Sequence, residues 1–322
     1  MDTKVMNYAE TSEVDLVEKI RQVQQSLSKV WLGDSFILDL MLVAVLARGH
    51  LLLEDVPGVG KTTLAKSLAR ALGMEFNRVQ FTNDILPADI LGGSVYNPVD
   101  GNFNFVPGPI FTDFLLADEI NRASTRSQSA FLQAMEEGAI SIDGISHMLS
   151  PQFTVIATQN PIDYDSTNPL PEAQLDRFLI ATSIGYPNRD QELALLETSQ
   201  QAAGARVNAV LSVEEFLQLK GQVEAAFMHE DLSQYIVDIA RLSREDERLR
   251  LGISPRGSIH LVQAAKALAV VRGRNAVTAE DVQQLIVPVW SHRLLPRHGR
   301  DQDRTASVEL LDDLVRQVPV PR

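Results

Sequence analysis

The run Leu51-Leu52-Leu53-Glu54-Asp55-Val56-Pro57-Gly58-Val59-Gly60-Lys61-Thr62-Thr63 constrains the fold more than any other part of the chain. An apolar segment, a glycine-rich turn and a helical pattern follow one another in the order a phosphate-binding loop needs. In such a loop successive backbone N–H groups turn inward at a helix N-terminus to hold anionic oxygens. Gly58 and Gly60 allow backbone conformations that a Cβ obstructs. Lys61 is expected to reach the β- and γ-phosphates of a nucleotide, and the Thr62 hydroxyl to be a ligand for Mg2+. Pro57, Val59 and Thr63 complete the cradle, while the glycine that usually opens the eight-residue pattern is Asp55 here.

The surrounding pattern fits an α/β fold. Apolar runs at His50 to Leu53, Phe76 to Phe81, Phe114 to Ala117, Phe153 to Thr158 and Phe178 to Ile184 alternate with helical patterns such as Thr62 to Leu72 and Arg126 to Glu137. Five buried strands so arranged predict a parallel sheet covered on both faces. Two helices, over 13–29 and 36–47, precede it. After Gly185-Tyr186-Pro187 the strand-like runs stop and helical spacing takes over, with a capping box at Ser212 to Glu215 and a Thr278 cap before Asp281. At roughly 150 residues per domain a chain of this length holds about two. Residues 1–187 are expected to form an αβα nucleotide-binding core, and residues 188–322 a smaller all-helical domain.

Composition narrows the function classes. The absence of cysteine excludes disulfides, thiolate metal sites and thiol catalysis. A net charge of −13 disfavours a nonspecific grip on nucleic acid or anionic lipid unless basic side chains are locally segregated, as they are in the stretch Arg293, Arg297, His298, Arg300. The N-terminus lacks the cationic and apolar regions of a secretory signal, and the run Leu40 to Ala47 is far too short to cross a bilayer, so a cytoplasmic location without stable membrane insertion is expected. The 6 histidines are scattered without a tight ligand pair, which speaks against an intrinsic metal centre.

A second half of the site is legible downstream. Phe114-Leu115-Leu116-Ala117-Asp118-Glu119 ends a buried strand in two acids. By itself that is more often a solvated strand end, but on the third strand of this pattern Asp118 is expected to orient Mg2+ and its waters, and Glu119 to polarise the attacking water as general base. The run Phe153 to Thr158 leads into Gln159-Asn160-Pro161, and Asn160 is the better candidate to bond water or a γ-phosphate from that edge.

These residues together resemble the AAA+ ATPases, and more narrowly the MoxR family. The matching words are EDVPGVGKTT at 54–63, LLADEINRA at 115–123, QSAFLQAMEEG at 128–138, VIATQNP at 155–161, LPEAQLDRF at 170–178 and SPRG at 254–257. The resemblance spans about residues 15 to 297. It implies a P-loop core with a helical lid, ATP as cofactor with Mg2+, Lys61 and Thr62 in Walker A, Asp118 and Glu119 in Walker B, and Asn160 at sensor 1. Arg177 matches the arginine finger presented to a neighbouring subunit, with Arg122 and Arg126 as rivals, and Arg256 matches the sensor 2 arginine that contacts nucleotide. Guanidinium suits both roles because it stays charged and contacts several phosphate oxygens at once. Val30 and Trp31 occupy the place where such proteins wrap adenine; Val30 is assigned to that contact and Trp31 to the core. Two hairpins with Asp-Gly turns, over 91–106 and 139–149, look like the helix-2 insert and the pre-sensor-1 hairpin of the branch that also holds magnesium-chelatase ATPase subunits and MCM helicases.

The resemblance further implies a homo-oligomeric ring, hexameric as the family's rings are, which remodels or matures a client protein with a von Willebrand factor A domain partner. A DNA motor is the alternative from another class, but neither hairpin contains Lys or Arg with which to grip phosphates. A magnesium-chelatase-type subunit shares the catalytic layout. A small-molecule kinase fits less well, because the Asp-Glu pair, Asn160 and the SPR word suit hydrolysis.

Overall fold

The computed structural model describes residues 13–31, 33–55, 58–99, 101–160, 167–193, 207–297 and 304–321. The chain begins with α1 (Glu13–Ser28) and α2 (Ser35–Leu46), then β1 (Leu51–Glu54), α3 (Lys61–Ala71), β2 (Phe76–Gln80) and the short α4 (Pro87–Leu91). A hairpin of β3 (Gly92–Asn97) and β4 (Asn102–Pro107) leads to β5 (Phe114–Asp118), a single 3-10 turn and α5 (Thr125–Glu137). A second hairpin, β6 (Ala139–Ile142) and β7 (Ile145–Met148), precedes β8 (Thr154–Gln159), α6 (Glu172–Leu175) and β9 (Ile180–Thr182). Helices α7 (Val213–Ala225), α8 (Glu230–Glu245), α9 (Pro255–Val271), α10 (Ala279–Trp290) and α11 (Arg304–Gln317) follow, with β10 (Leu249–Leu251) paired to β11 (Leu295–Pro296) among them.

The five expected strands form one all-parallel sheet in the order β2-β5-β8-β1-β9. The three inner strands are apolar on both faces because both are covered: Leu51, Leu52, Leu53, Leu115, Leu116, Val155 and Ile156 are all essentially inaccessible to solvent. Alternation sends Leu51 and Leu53 into a core shared with α1, α2 and α3, and Leu52 into a second core with α5. Helix α2 is apolar nearly all round, as a helix enclosed by other elements must be, and α9 packs across it. The first core therefore continues without a break from the sheet into α7 to α10. Among the described residues, the β10–β11 pair is the strand element of the C-terminal region that the helical reading did not anticipate.

The expected capping box of Ser212 with Glu215 is present, and the expected Thr278 cap forms a capping box with Asp281. The second hairpin turns through Asp143 and Gly144, both at positive φ, the geometry an Asp-Gly pair tolerates; Asp100 of the first lies outside the described residues. The two hairpins are joined, since Ser94 Oγ donates to Asp143 Oδ2 at 2.5 Å and the rings of Phe105 and His147 stack at 3.9 Å.

Of the basic stretch suggested at 293–300, Arg293 is not a surface cation. The Arg293 side chain is only 1% exposed and is committed to internal partners, and Arg297 is exposed, with its Nε donating to the Leu249 carbonyl. His298 and Arg300 lie outside the described residues.

Candidate functional site

In this sheet β1 connects toward one edge, through α3 to β2, and β8 toward the other, to β9. The crevice at the carboxyl ends of β1 and β8 is thus where the topology opens a binding site. A cleft of about 400 Å3 lies there, lined by Asp55, Gly58, Gly60, Lys61, Thr62, Thr63, Arg78, Gln80, Asp118, Glu119, Thr158, Gln159 and Asn160. Gly58 and Gly60 both have positive φ, 90° and 88°, and Gly60 is the N-cap of α3, so the loop directs its N–H groups toward the cleft. Pro57 lies outside the described residues, and Val59 is half-buried in the loop.

Lys61 Nζ donates to the Asp55 carbonyl at 2.9 Å. Burial pulls its ammonium below the usual lysine range, against the opposing field of Asp55, Asp118 and Glu119. Asp55, where the general motif has glycine, is almost fully buried. Its carboxylate accepts the N–H groups of Ile184 and Gly185 at 2.5 and 2.9 Å, and burial raises its pKa. This residue ties the start of the phosphate loop to the chain leaving β9, a role glycine cannot fill. Beside it, Glu54 is held by Gln159 and by Arg304 at the start of α11, which fastens the C-terminal helix beneath the same loop.

Asp118 and Glu119 are brought to the cleft with separate partners. Thr158 Oγ1 donates to Asp118 Oδ1 at 2.6 Å and accepts the Glu119 N–H at 2.9 Å, which ties the two acids to the neighbouring strand β8. Arg78 Nη2 donates to Asp118 Oδ2 at 2.6 Å. Glu119 Oε2 accepts Gln80 Nε2 at 3.0 Å and pairs with Arg122 Nε at 3.0 Å. Glu119 itself is left-handed, φ 57° and ψ 48°, an unfavourable conformation for this residue type that places its carboxylate where the strand stops. Asn160 lines the same cleft at the end of β8. A hydroxyl, a carboxylate and room for phosphate oxygens make an all-oxygen donor set suited to a hard cation, so Thr62 and Asp118 fit Mg2+.

Sequence reasoning missed Arg78, Gln80 and Thr158. For the first two the signal lay in strand alternation: Arg78 and Gln80 share one face of β2, opposite Asn77 and the buried Val79, and Gln80 pairs in register with Asp118.

Two expected residues are not brought to this cleft within one chain. Arg177 and Arg256 meet instead at the amino edge of the sheet, where Arg177 Nε and Arg256 Nη1 each stand 2.8 Å from a different oxygen of Glu136. That edge is identified by His50, which precedes β1 and whose Nε2 bonds the Met135 carbonyl. The length of the strands, at least about 10 Å at ~3.3 Å per residue, separates the two arginines from the phosphate loop of their own chain. Arg122 is occupied by Glu119 of its own chain, and Arg126 is exposed on the first turn of α5. Trp31, expected in the core, is half-buried against it, and a Cβ on Gly60 would stand 3.8 Å from its ring. Val30 is half-buried and lies outside the phosphate cleft.

Around this amino edge, burial and nearby arginines push His50 down to about 4 and His260 to about 3, and His292 is lowered as well. These imidazoles are neutral in the fold, whereas unfolded histidine takes a proton near pH 6.5. The unfolded chain therefore binds more protons below that pH, and stability falls as pH drops from 6.5 toward 4, by about 1.4 kcal/mol per unit for each such group. Urea midpoints are expected to be level above pH 7 and to decline steadily below 6.5. A midpoint unchanged down to pH 5 would contradict neutral burial.

With the geometry in place, comparison with known proteins identifies the lineage. Residues 50–180 match the ATPase family associated with various cellular activities (AAA), and residues 241–314 match an AAA lid domain. The chain is 40% identical to "Uncharacterized protein YeaC" of Bacillus subtilis over 95% of its length and 96% of that protein. It is 36% identical to "Chaperone MoxR1" of Mycobacterium tuberculosis over 92% of the chain and 81% of the relative, and 31% identical to "Protein MoxR" of Paracoccus denitrificans over 94% and 96%. A crystal structure of a putative ATPase from Cytophaga hutchinsonii superposes with a TM-score of 0.87 at 30% identity, covering 96% of this chain and 97% of that one. The match spans the core, the lid and both halves of the cleft: this chain belongs to the MoxR family of AAA ATPases, and it hydrolyses ATP.

Proposed function

We propose that the protein is a Mg2+-dependent ATPase whose copies assemble head to tail into a six-membered ring, and that nucleotide turnover in the ring remodels or matures client protein complexes. Residues 1–187 act as the hydrolytic core and 188–322 as the lid. The carrying observation is polarity: the phosphate cleft lies at the carboxyl edge of the sheet, and the paired Arg177 and Arg256 lie at the amino edge. One chain cannot bring these together, whereas a heterologous interface joins one edge to the other and closes into a ring when the rotation permits.

In this reading the loop N–H groups and Lys61 hold the triphosphate, Thr62 and Asp118 hold the cation, Glu119 accepts a proton from water, and Asn160 orients that water or the γ-phosphate. The bound cation would neutralise charge on the phosphates. Arg78 adds positive charge beside Asp118 in the same cleft. Arg177 and Arg256 of an adjoining copy supply further positive charge as the γ-phosphate departs.

The joined hairpins carry Val95, Tyr96, Phe103, Ile145 and Met148 as exposed apolar side chains, and neither hairpin contains Lys or Arg. Such a surface suits a polypeptide client and not a phosphate backbone. Among the described residues no helix is long and apolar enough to cross a membrane. A von Willebrand factor A domain protein is the proposed working partner.

The test uses Glu119→Gln with ATP. Native mass spectrometry is expected to give a hexamer, and the trapped ring, used as bait, to retain clients that wash off with ADP. A protein that stays monomeric with ATP would overturn the ring. A salt-sensitive shift of labelled DNA would favour a nucleic-acid motor instead.

A further inference from the structure

The Glu136 carboxylate, on the last turn of α5, is shared. Oε2 faces Arg177 Nε and Oε1 faces Arg256 Nη1, each at 2.8 Å, and all three side chains are partly exposed, at 35%, 24% and 38%. The two arginines come from distant parts of the chain: Arg177 from the turn before β9, Arg256 from the first turn of α9. Two guanidiniums this close repel each other, and one carboxylate between them offsets that repulsion while leaving a surplus of one positive charge. A second tie runs in parallel beneath. Asp176 accepts Arg293 Nε at 2.8 Å and faces Ser254 Oγ, the N-cap of α9, at 3.3 Å. Arg293 also donates to the carbonyls of Asp176 and Phe178, and burial lowers it to about 10, still charged at neutral pH. The residues 176 and 177 are thus joined to the residues 254 and 256 through two partly exposed acids, Asp176 and Glu136.

We infer that Glu136 is a positioning residue for hydrolysis in the adjoining subunit: it splints Arg177 and Arg256 into a single cationic pair that meets the neighbour's triphosphate. An isolated exposed ion pair adds little stability, so holding one carboxylate between two arginines has its effect on geometry. Displacing a charge by about 1 Å from its productive position costs up to roughly 10²-fold in rate. The inference rests on the proposal that Arg177 acts across a subunit seam.

The test is a mixing assay read as phosphate release. Arg177→Ala supplies intact clefts without a finger. Adding Glu119→Gln, which has a finger but no base, is expected to restore turnover. Adding the double variant Glu119→Gln/Glu136→Gln is expected to restore at least about tenfold less. Its own cleft lies at the opposite edge of the sheet, so its affinity for a fluorescent ATP analogue should equal that of Glu119→Gln, which a merely structural defect would not preserve. If that affinity is lost, Glu136→Asp replaces Glu136→Gln in the same assay. Equal restoration by both donors overturns the role of Glu136 and leaves the seam intact. No restoration by either donor overturns the seam, and this inference with it.

Discussion

Glu119→Gln is expected to lower ATP turnover by about 10²- to 10⁴-fold, the range for losing a general base, while nucleotide affinity stays within a few-fold of the parent. The separation follows from where the residue sits. Its carboxylate reaches the cleft from the end of β5 through a left-handed backbone, and its N–H is anchored by Thr158. The phosphate-holding groups Gly58, Gly60, Lys61 and Thr62 belong to a different loop. Replacing Oε with an amide removes the base and leaves that loop untouched. Gln80 and Arg122 both engage Oε2 of that carboxylate in this structure and hold it at the cleft. Steady-state phosphate release together with fluorescent-nucleotide titration checks the result. Unchanged turnover would move the base elsewhere; lost affinity would mean that Glu119 supports binding and not the chemical step.

Arg177→Ala is expected to have the largest effect of any substitution outside the phosphate loop, a loss of about 10³- to 10⁵-fold if it acts as a finger. The side chain points away from its own nucleotide cleft, so its removal should leave nucleotide affinity in an isolated subunit unaffected and appear only where copies meet. Turnover measured against protein concentration separates the cases. The parent should gain specific activity as subunits assemble, and the variant should remain flat. A variant that keeps the parent's activity at every concentration would shift attention to Arg126, which is exposed on α5, and would remove the main support for a head-to-tail ring.

Much of the fold was legible because its signals are local or periodic. All five runs became strands of one parallel sheet, with boundaries displaced by a residue or two, and the three inner ones were clearest because a strand buried on both faces must be apolar along its length. The capping boxes and the second Asp-Gly turn were readable for the same reason: each is a contract between residues a few positions apart. The cleft was legible where a motif required a conformation, as at Gly58 and Gly60, or placed an acid at a strand end, as at Asp118 and Glu119. Arg78 and Gln80 were not, because a polar residue alternating along an edge strand looks like a solvated face until its neighbour in the sheet is known. Arg293 was misread as surface charge because burial of an arginine depends on partners that sit far away in sequence, at Asp176 and Phe178.

The sequence by itself therefore determined the α/β core, the phosphate loop and the acids opposite it, since all of these depend on spacing along one segment. Tertiary structure alone decided that Asp55 fastens the loop to the chain beyond β9, that the two hairpins form one surface, and that Arg177 and Arg256 share Glu136 on the edge opposite their own cleft. The physical reason is that strand polarity and chain order choose which end of the sheet a residue occupies. Electrostatic partners are then drawn from whatever else the packing delivers to that end.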